Sequence, residues 1–208
     1  MDAYQTIKGT ATASITEKKS EFIAFASFTD TEEKAMDFLH TIRAQHRTAS
    51  HHVFAYRLQS GLRERCSDDG EPAKTAGLPA LHALICAEIT DCTVVIVRYF
   101  GGTLLGTGGL VRAYGEAAKR CLENAETVKI SSCVRGTWTV FYPLYETALK
   151  LLAEGGAQVD ADATQFADAV TLSFMIQTQN SLPLQQNIRT LCRGDEKIAF
   201  SAPFYAPF

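Results

Sequence analysis

No stretch of this 208-residue chain approaches the roughly 20 consecutive apolar residues that a membrane-spanning helix requires. The opening segment, "MDAYQTIKGTATAS", lacks the apolar core of a secretory signal. Together these absences predict a cytoplasmic protein. The six cysteines (Cys66, Cys86, Cys92, Cys121, Cys133 and Cys192) are scattered singly, with no CxxC pair. That spacing supplies no zinc ligand set, and in a cytosolic chain it predicts reduced, mostly buried thiols. Positive charge is scarce as well: 20 lysines and arginines face 23 aspartates and glutamates, for a net charge of -3. A broad basic surface for nucleic acid does not fit that balance, so any anion site must be local. Repeats and low-complexity segments are missing, and no cofactor or metal is expected.

What is present is an ordinary globular composition, 46% hydrophobic and 21% charged, long enough for one or two domains with a real core. Residues 10–15 and 20–28 read as strands. In "TDTEEKAMDFLHTIRAQH", Thr29, Asp30 or Thr31 can cap a helix whose apolar face is Ala35, Phe38, Leu39 and Ile42. "HHVFAYRL" reads as a strand, "CSDDGEPAKTAG" as a polar loop, and residues 78–88 as an apolar helix. The continuous run "TVVIVRYF" suits a strand buried on both faces. A glycine loop, a helix to about Asn124 and a short strand near residues 128–131 complete this half.

Beyond Cys133 the pattern is β-α-β-β-α-β. "GTWTVFYPL" is a strand and "YETALKLLAEGG" a helix closed by glycines. "AQVDADAT" and "DAVTLSFMIQ" are strands, "LPLQQNIRTLCRG" is a helix with proline in its first turn, and "KIAFSAP" is a strand. That order belongs to a ferredoxin-like sandwich. The expectation is an α+β protein of two domains, residues 1–133 and 134–208. Trp138, Phe141 and Phe174 suit either the second core or an open sheet face used for binding.

Most of the chemistry lies in "RYFGGTLLGTGGLVRAYGEAAKR", residues 98–120. A strand runs through a glycine loop into a helix, and the unpaired N–H groups and dipole at a helix start favour an anion. The candidate loop contacts are Gly101, Gly102, Gly106, Thr107, Gly108 and Gly109. Arg98 at the strand end and Arg112 one turn into the helix flank them and suit phosphate or carboxylate. Both nucleotide fingerprints fail. Thr107 stands where a Walker lysine belongs, and Val111 where the third glycine of GxGxxG belongs. A purely structural turn and an anion site both remain open. Leu110, Ala113, Ala117 and Cys121 form a buried stripe on the helix, while Arg112, Lys119 and Arg120 suit either RNA backbone or a solvated face.

The acidic loop offers a second chemistry. Asp68, Asp69 and Glu71 could carry magnesium, or simply cap a turn and the next helix. His51 and His52 are strand neighbours and point to opposite faces, one toward a cleft and the other toward solvent. Cys66 beside the acidic loop should have a raised pKa, which is wrong for a reactive thiolate.

Four segments, "KKSEFIAF", "HHVFAYRL", "SDDGEPAKTAGLPAL" and "VVIVRYFGGTLLGTGGLVRAYGEAA", resemble successive motifs of the IMPACT family, whose bacterial branch is the YigZ type. They span residues 18–118 in family order. Lys74 departs from the bacterial pattern GEPxGTAG, where a glycine is usual. The resemblance implies a ribosomal-protein-like β-α-β first domain, as in domain IV of elongation factor G, and a second domain like that factor's ferredoxin-like domain V. Eukaryotic members restrain a starvation-sensing kinase by competing for its activator. The implied role is a non-enzymatic, translation-associated regulator that binds RNA, the ribosome or a protein through the glycine loop with Arg98, Arg112 and Lys74. The alternative is a small-molecule phosphate enzyme, kinase- or phosphohydrolase-like. It would use Asp68, Asp69 and Glu71 with magnesium, and His51 or His52 for proton transfer. That alternative requires these side chains to converge with the glycine loop on one cleft.

Overall fold

The computed structural model describes residues 3–208. It contains two compact units, Tyr4–Lys129 and Ile130–Phe208, with Ala3 grouped with the latter. Strands β1 (Ala3–Ile7), β2 (Thr10–Glu17) and β3 (Ser20–Phe28) precede helix α1 (Glu32–Gln45). β4 (His51–Leu58), β5 (Arg63–Ser67), α2 (Gly77–Cys86), β6 (Cys92–Tyr99) and α3 (Thr107–Glu123) follow. Five strands form an antiparallel sheet in the order β2-β3-β6-β4-β5.

β6 lies at the centre of that sheet, and its side chains alternate between two cores. Val94 and Ile96 join Ala80, Leu84, Leu110 and Ala117 under α2 and α3. Val95 and Val97 join Ala35, Leu39 and Ile42 under α1. Helices on both faces explain the unbroken apolar run of this antiparallel strand, because neither face meets water. Thr31 caps α1, its hydroxyl accepting the Lys34 N–H at 3.2 Å. Ala35, Leu39 and Ile42 are buried as the spacing predicts, while Phe38 is half-buried. β5 has no counterpart in the sequence reading. It is a mostly exposed edge strand, so it carries no apolar alternation to reveal it.

The second unit holds most of β7 (Thr127–Val140), then α4 (Tyr145–Glu154), β8 (Gln158–Phe166), β9 (Val170–Gln177), α5 (Thr178–Leu191), β10 (Lys197–Phe200) and β11 (Phe204–Pro207). β8 pairs β9, β9 pairs β7, and β10 and β11 pair successive parts of β7, all antiparallel. Trp138 and Phe174 are buried with Leu152, Leu172, Leu184 and Ile188, whereas Phe141 is exposed. β7 is one strand of 14 residues, not two short ones. Gly136 lies within it, and the Phe174 ring occupies the space a β-carbon would need. α5 begins at Thr178, so Pro183 sits inside the helix and not in its first turn, at the loss of one helical hydrogen bond. No helix among the described residues is long and apolar enough to cross a membrane.

Candidate anion-binding cleft

The alternation of β6 places Arg98 on the α2/α3 face of the sheet. His51 on β4 lies directly opposite it in register, and Phe22 on β3 lies opposite on the other side. The guanidinium carbon sits 5.4 Å from the ring centres of both Phe22 and Phe100. Nη1 donates to Glu71 Oε1 at 2.6 Å, and the Tyr114 hydroxyl donates to the same oxygen at 2.7 Å. Nη2 donates to Ser20 Oγ at 3.4 Å, which also accepts the Gly101 N–H at 3.1 Å. Arg98 is only 5% exposed, and its Nε has no hydrogen-bond partner among the described residues. Burial pushes the Tyr114 phenol far above its ordinary value, and Glu71 adds to the effect, so the hydroxyl stays protonated and donates.

A cleft of about 480 Å³ opens beside this cluster. His51 and Arg98 line it from the sheet, Ser50 from the bend before β4, Phe100 and Leu104 from the glycine loop, and Thr107 from the start of α3. Gly106 precedes the helix with φ 72°, a backbone angle that suits glycine, and no side chain caps the helix. The first helical bond runs from the Leu110 N–H to the Gly106 carbonyl at 3.0 Å. The N–H groups of Thr107, Gly108 and Gly109 have no acceptor among the described residues.

The start of α2 differs. There Asp68 Oδ1 accepts the N–H groups of Ala76 and Gly77 at 3.0 and 2.8 Å, and Oδ2 accepts that of Lys74 at 2.8 Å. Burial alone would raise the Asp68 carboxyl, but these three bonds outweigh it and hold its pKa below the ordinary 3.8. A lowered native pKa gives stability that is complete above the ordinary value and fades as pH falls through the native one. Asp68→Ala should therefore cost about 1–2 kcal/mol near neutrality. In urea titrations below about pH 4 its deficit against the wild type should shrink.

The acidic residues do not meet. Asp68 serves α2. Asp69 binds Arg43 Nη2 through Oδ1 at 2.7 Å and the His52 N–H through Oδ2 at 2.7 Å. Glu71 serves Arg98 and Tyr114. No group of three or more histidine, cysteine or acidic side chains among the described residues is placed to hold a metal. His51 faces the cleft, with Nδ1 2.8 Å from the Asp69 carbonyl. A carbonyl only accepts, so the neutral ring carries its proton on Nδ1. His52 points the other way, as strand alternation requires, but it is largely covered and not set in open solvent. Its Nε2 lies 3.0 Å from the His46 carbonyl at the end of α1, and its side chain is 13% exposed.

Arg112 and Lys74 are exposed and lie outside the cleft lining. Lys74 holds φ 65°, a left-handed conformation that burdens a residue with a β-carbon. Lys119 and Arg120 pair with Glu123 and Glu116 along α3, which describes a solvated face. Burial, then Asp68, raises the Cys66 thiol, and all six cysteines are free. Sequence reasoning missed Tyr114, Ser20, Phe100 and Leu104. Tyr114 and Phe100 stood inside the quoted glycine segment, but nothing local marked them as partners of Arg98. A separate hollow of about 520 Å³ between α2 and α3 includes Lys119 but none of the glycine-loop, acidic-loop or histidine candidates.

The chain is thus a mixed α/β protein with two sheets, one of which positions an uncapped helix start beside a buried arginine. Residues 18–122 match the family model described as the Impact N-terminal domain, and the chain belongs to the IMPACT family. The IMPACT family member YvyE of Bacillus subtilis is 38% identical over 130 residues, covering 62% of this chain and 60% of that protein. YigZ of Escherichia coli is 44% identical over 117 residues, covering 53% of this chain and 55% of that protein. The matched regions therefore span less than two thirds of either relative. A crystal structure described as that of a hypothetical protein superposes with a TM-score of 0.64 at 30% identity, covering 95% of this chain and 97% of that one.

Proposed function

We propose that this chain is a non-enzymatic, translation-associated regulator that recognises an anionic group at the start of α3, carried by RNA, the ribosome or a protein partner. The observation that carries the reading is the contrast between the two helix starts. An internal carboxylate fills the start of α2, while the equivalent N–H groups of α3 stand open beside a cleft. Family membership supports the link to translation and a cytoplasmic location. Arg112 and Lys74 are outer contacts in this reading, and Arg98 is a buried part of the wall. We further propose the ribosomal-protein-like and ferredoxin-like descriptions for residues 1–133 and 134–208. The β8-β9-β7-β10 strand order supports the second of these. The magnesium-enzyme alternative is weakened, because Asp68, Asp69 and Glu71 are each committed to different partners.

Thr107→Asp tests the reading. A carboxylate in the first turn suits the helix dipole and should leave the thermal midpoint unchanged or higher. The same charge should repel an incoming anion and lower recovery of translation components in a crosslinking pull-down by about tenfold or more. Thr107→Ala keeps the backbone N–H and should bind like the wild type. Equal recovery with Thr107→Asp and wild type would sink the proposal.

A further inference from the structure

We propose that an exposed aromatic corner of the second unit takes arginine side chains from a cationic segment of a protein partner. This surface is separate from the start of α3, and the two stand or fall independently. β8 is an edge strand of its sheet. Its last residue, Phe166, lies opposite the buried Val170 in register, so it stands on the helix side of the sheet. There its ring meets that of Tyr145 at the start of α4, with 5.9 Å between centres. Tyr142 reaches the same corner, because its hydroxyl donates to the Ala167 carbonyl at 2.8 Å. Phe141 adjoins Tyr142 in the turn before α4. Phe141, Phe166 and Tyr142 are 67%, 61% and 53% exposed. Large apolar side chains left in water together mark an interaction surface.

Charge chooses the partner. Residues 158–169, which form β8 and the turn to β9, hold three aspartates and no lysine or arginine. Asp168 in that turn and Glu146 beside Tyr145 are exposed, and neither makes an ion pair among the described residues. Lys150, a turn further along α4, leaves Glu146 unpaired. These carboxylates repel RNA phosphates, and a second copy of this chain would bring the same carboxylates face to face. A guanidinium answers both features of the corner. It stacks on an aromatic face, and its fork of N–H donors pairs with a carboxylate. Arg98 shows this chemistry within the chain, set against the rings of Phe22 and Phe100 and bonded to Glu71. Arg135 likewise lies over the Phe204 ring, at 5.3 Å. The corner offers the rings and the carboxylates without the arginine.

The test is an amide-shift titration of the ¹⁵N-labelled full chain at low ionic strength. The probes are an acetylated and amidated peptide of alternating arginine and glycine, the same peptide with lysine or with neutral citrulline in place of arginine, and an RNA oligonucleotide. The arginine peptide should shift the amides of Tyr145, Glu146, Phe166 and Asp168. It should bind about tenfold more tightly than the citrulline peptide, and several-fold more tightly than the lysine peptide, which keeps the charge but not the planar fork. Phe141→Ala and Asp168→Asn should each weaken it several-fold and leave the thermal midpoint unchanged, since both side chains are exposed. Equal affinity for arginine and citrulline, or for arginine and lysine, overturns the inference. So do shifts confined to other acidic surfaces, such as Glu32 and Glu33 at the start of α1. If the RNA moves the corner amides and the arginine peptide does not, the surface belongs to nucleic acid and the inference falls.

Discussion

Replacing Glu71 with alanine should remove about 3–5 kcal/mol of folding stability from the first unit. The Arg98 and Glu71 side chains are 6% and 3% exposed, so their ion pair at 2.6 Å is shielded from water. Arginine cannot shed its proton to escape such a site. Without Glu71, a buried guanidinium with an already unpartnered Nε loses its main acceptor, and the Tyr114 hydroxyl loses its acceptor too. The loss is large against the roughly 5–15 kcal/mol that a domain commands. Urea unfolding followed by far-ultraviolet circular dichroism measures it. The chain's single tryptophan, Trp138, lies in the other unit and would report the wrong transition. Replacing the pair together, Glu71→Leu with Arg98→Met, should restore much of the loss, because an apolar pair leaves no charge behind. A deficit below about 1 kcal/mol for Glu71→Ala would mean that water reaches Arg98 and that the cluster is not the dry wall described.

The parts of this site that follow from local pattern were legible in the sequence. Alternation along "TVVIVRYF" placed β6 between two cores, and alternation at His51 and His52 sent the two rings to opposite faces. Asp68 could be read as a helix cap because capping needs only a short polar side chain near a helix start. The Arg98–Glu71–Tyr114 cluster was not legible. Its partners lie 27 and 43 residues from Glu71, and their meeting depends on how α2 and α3 pack on the sheet. The family motifs contain all three residues, yet a motif does not say which side chain bonds which. The same limit made Arg98 and Arg112 look like a matched pair at the loop. In the fold, Arg98 is held by Glu71 within the wall, and Arg112 stands outside the cleft.

Two glycines of the same loop should respond to alanine with opposite signs. A β-carbon on Gly101 would overlap the carbonyl of Lys19 and the backbone nitrogen of Ser20. That neighbour has little room to yield. Lys18 and Lys19 form the tight turn between β2 and β3 at φ 45° and 66°. Any shift there also disturbs Ser20 Oγ, which accepts from Gly101 and Arg98. Gly101→Ala should therefore cost about 3 kcal/mol or more. Gly108 lies in the first turn of α3, and its β-carbon would meet only the tip of Arg112, at 3.6 Å. Gly108→Ala should stabilise by about 0.5–1 kcal/mol, because alanine gives up less backbone freedom in a helix. It also keeps the N–H, so recovery of translation components in the pull-down should survive. If the glycines served only to admit a ligand, both variants would fold equally well and lose binding together. Opposite stability changes with binding retained in Gly108→Ala would divide the loop by task. The first glycine then closes the wall against β3, and the helix start behind it holds the anion.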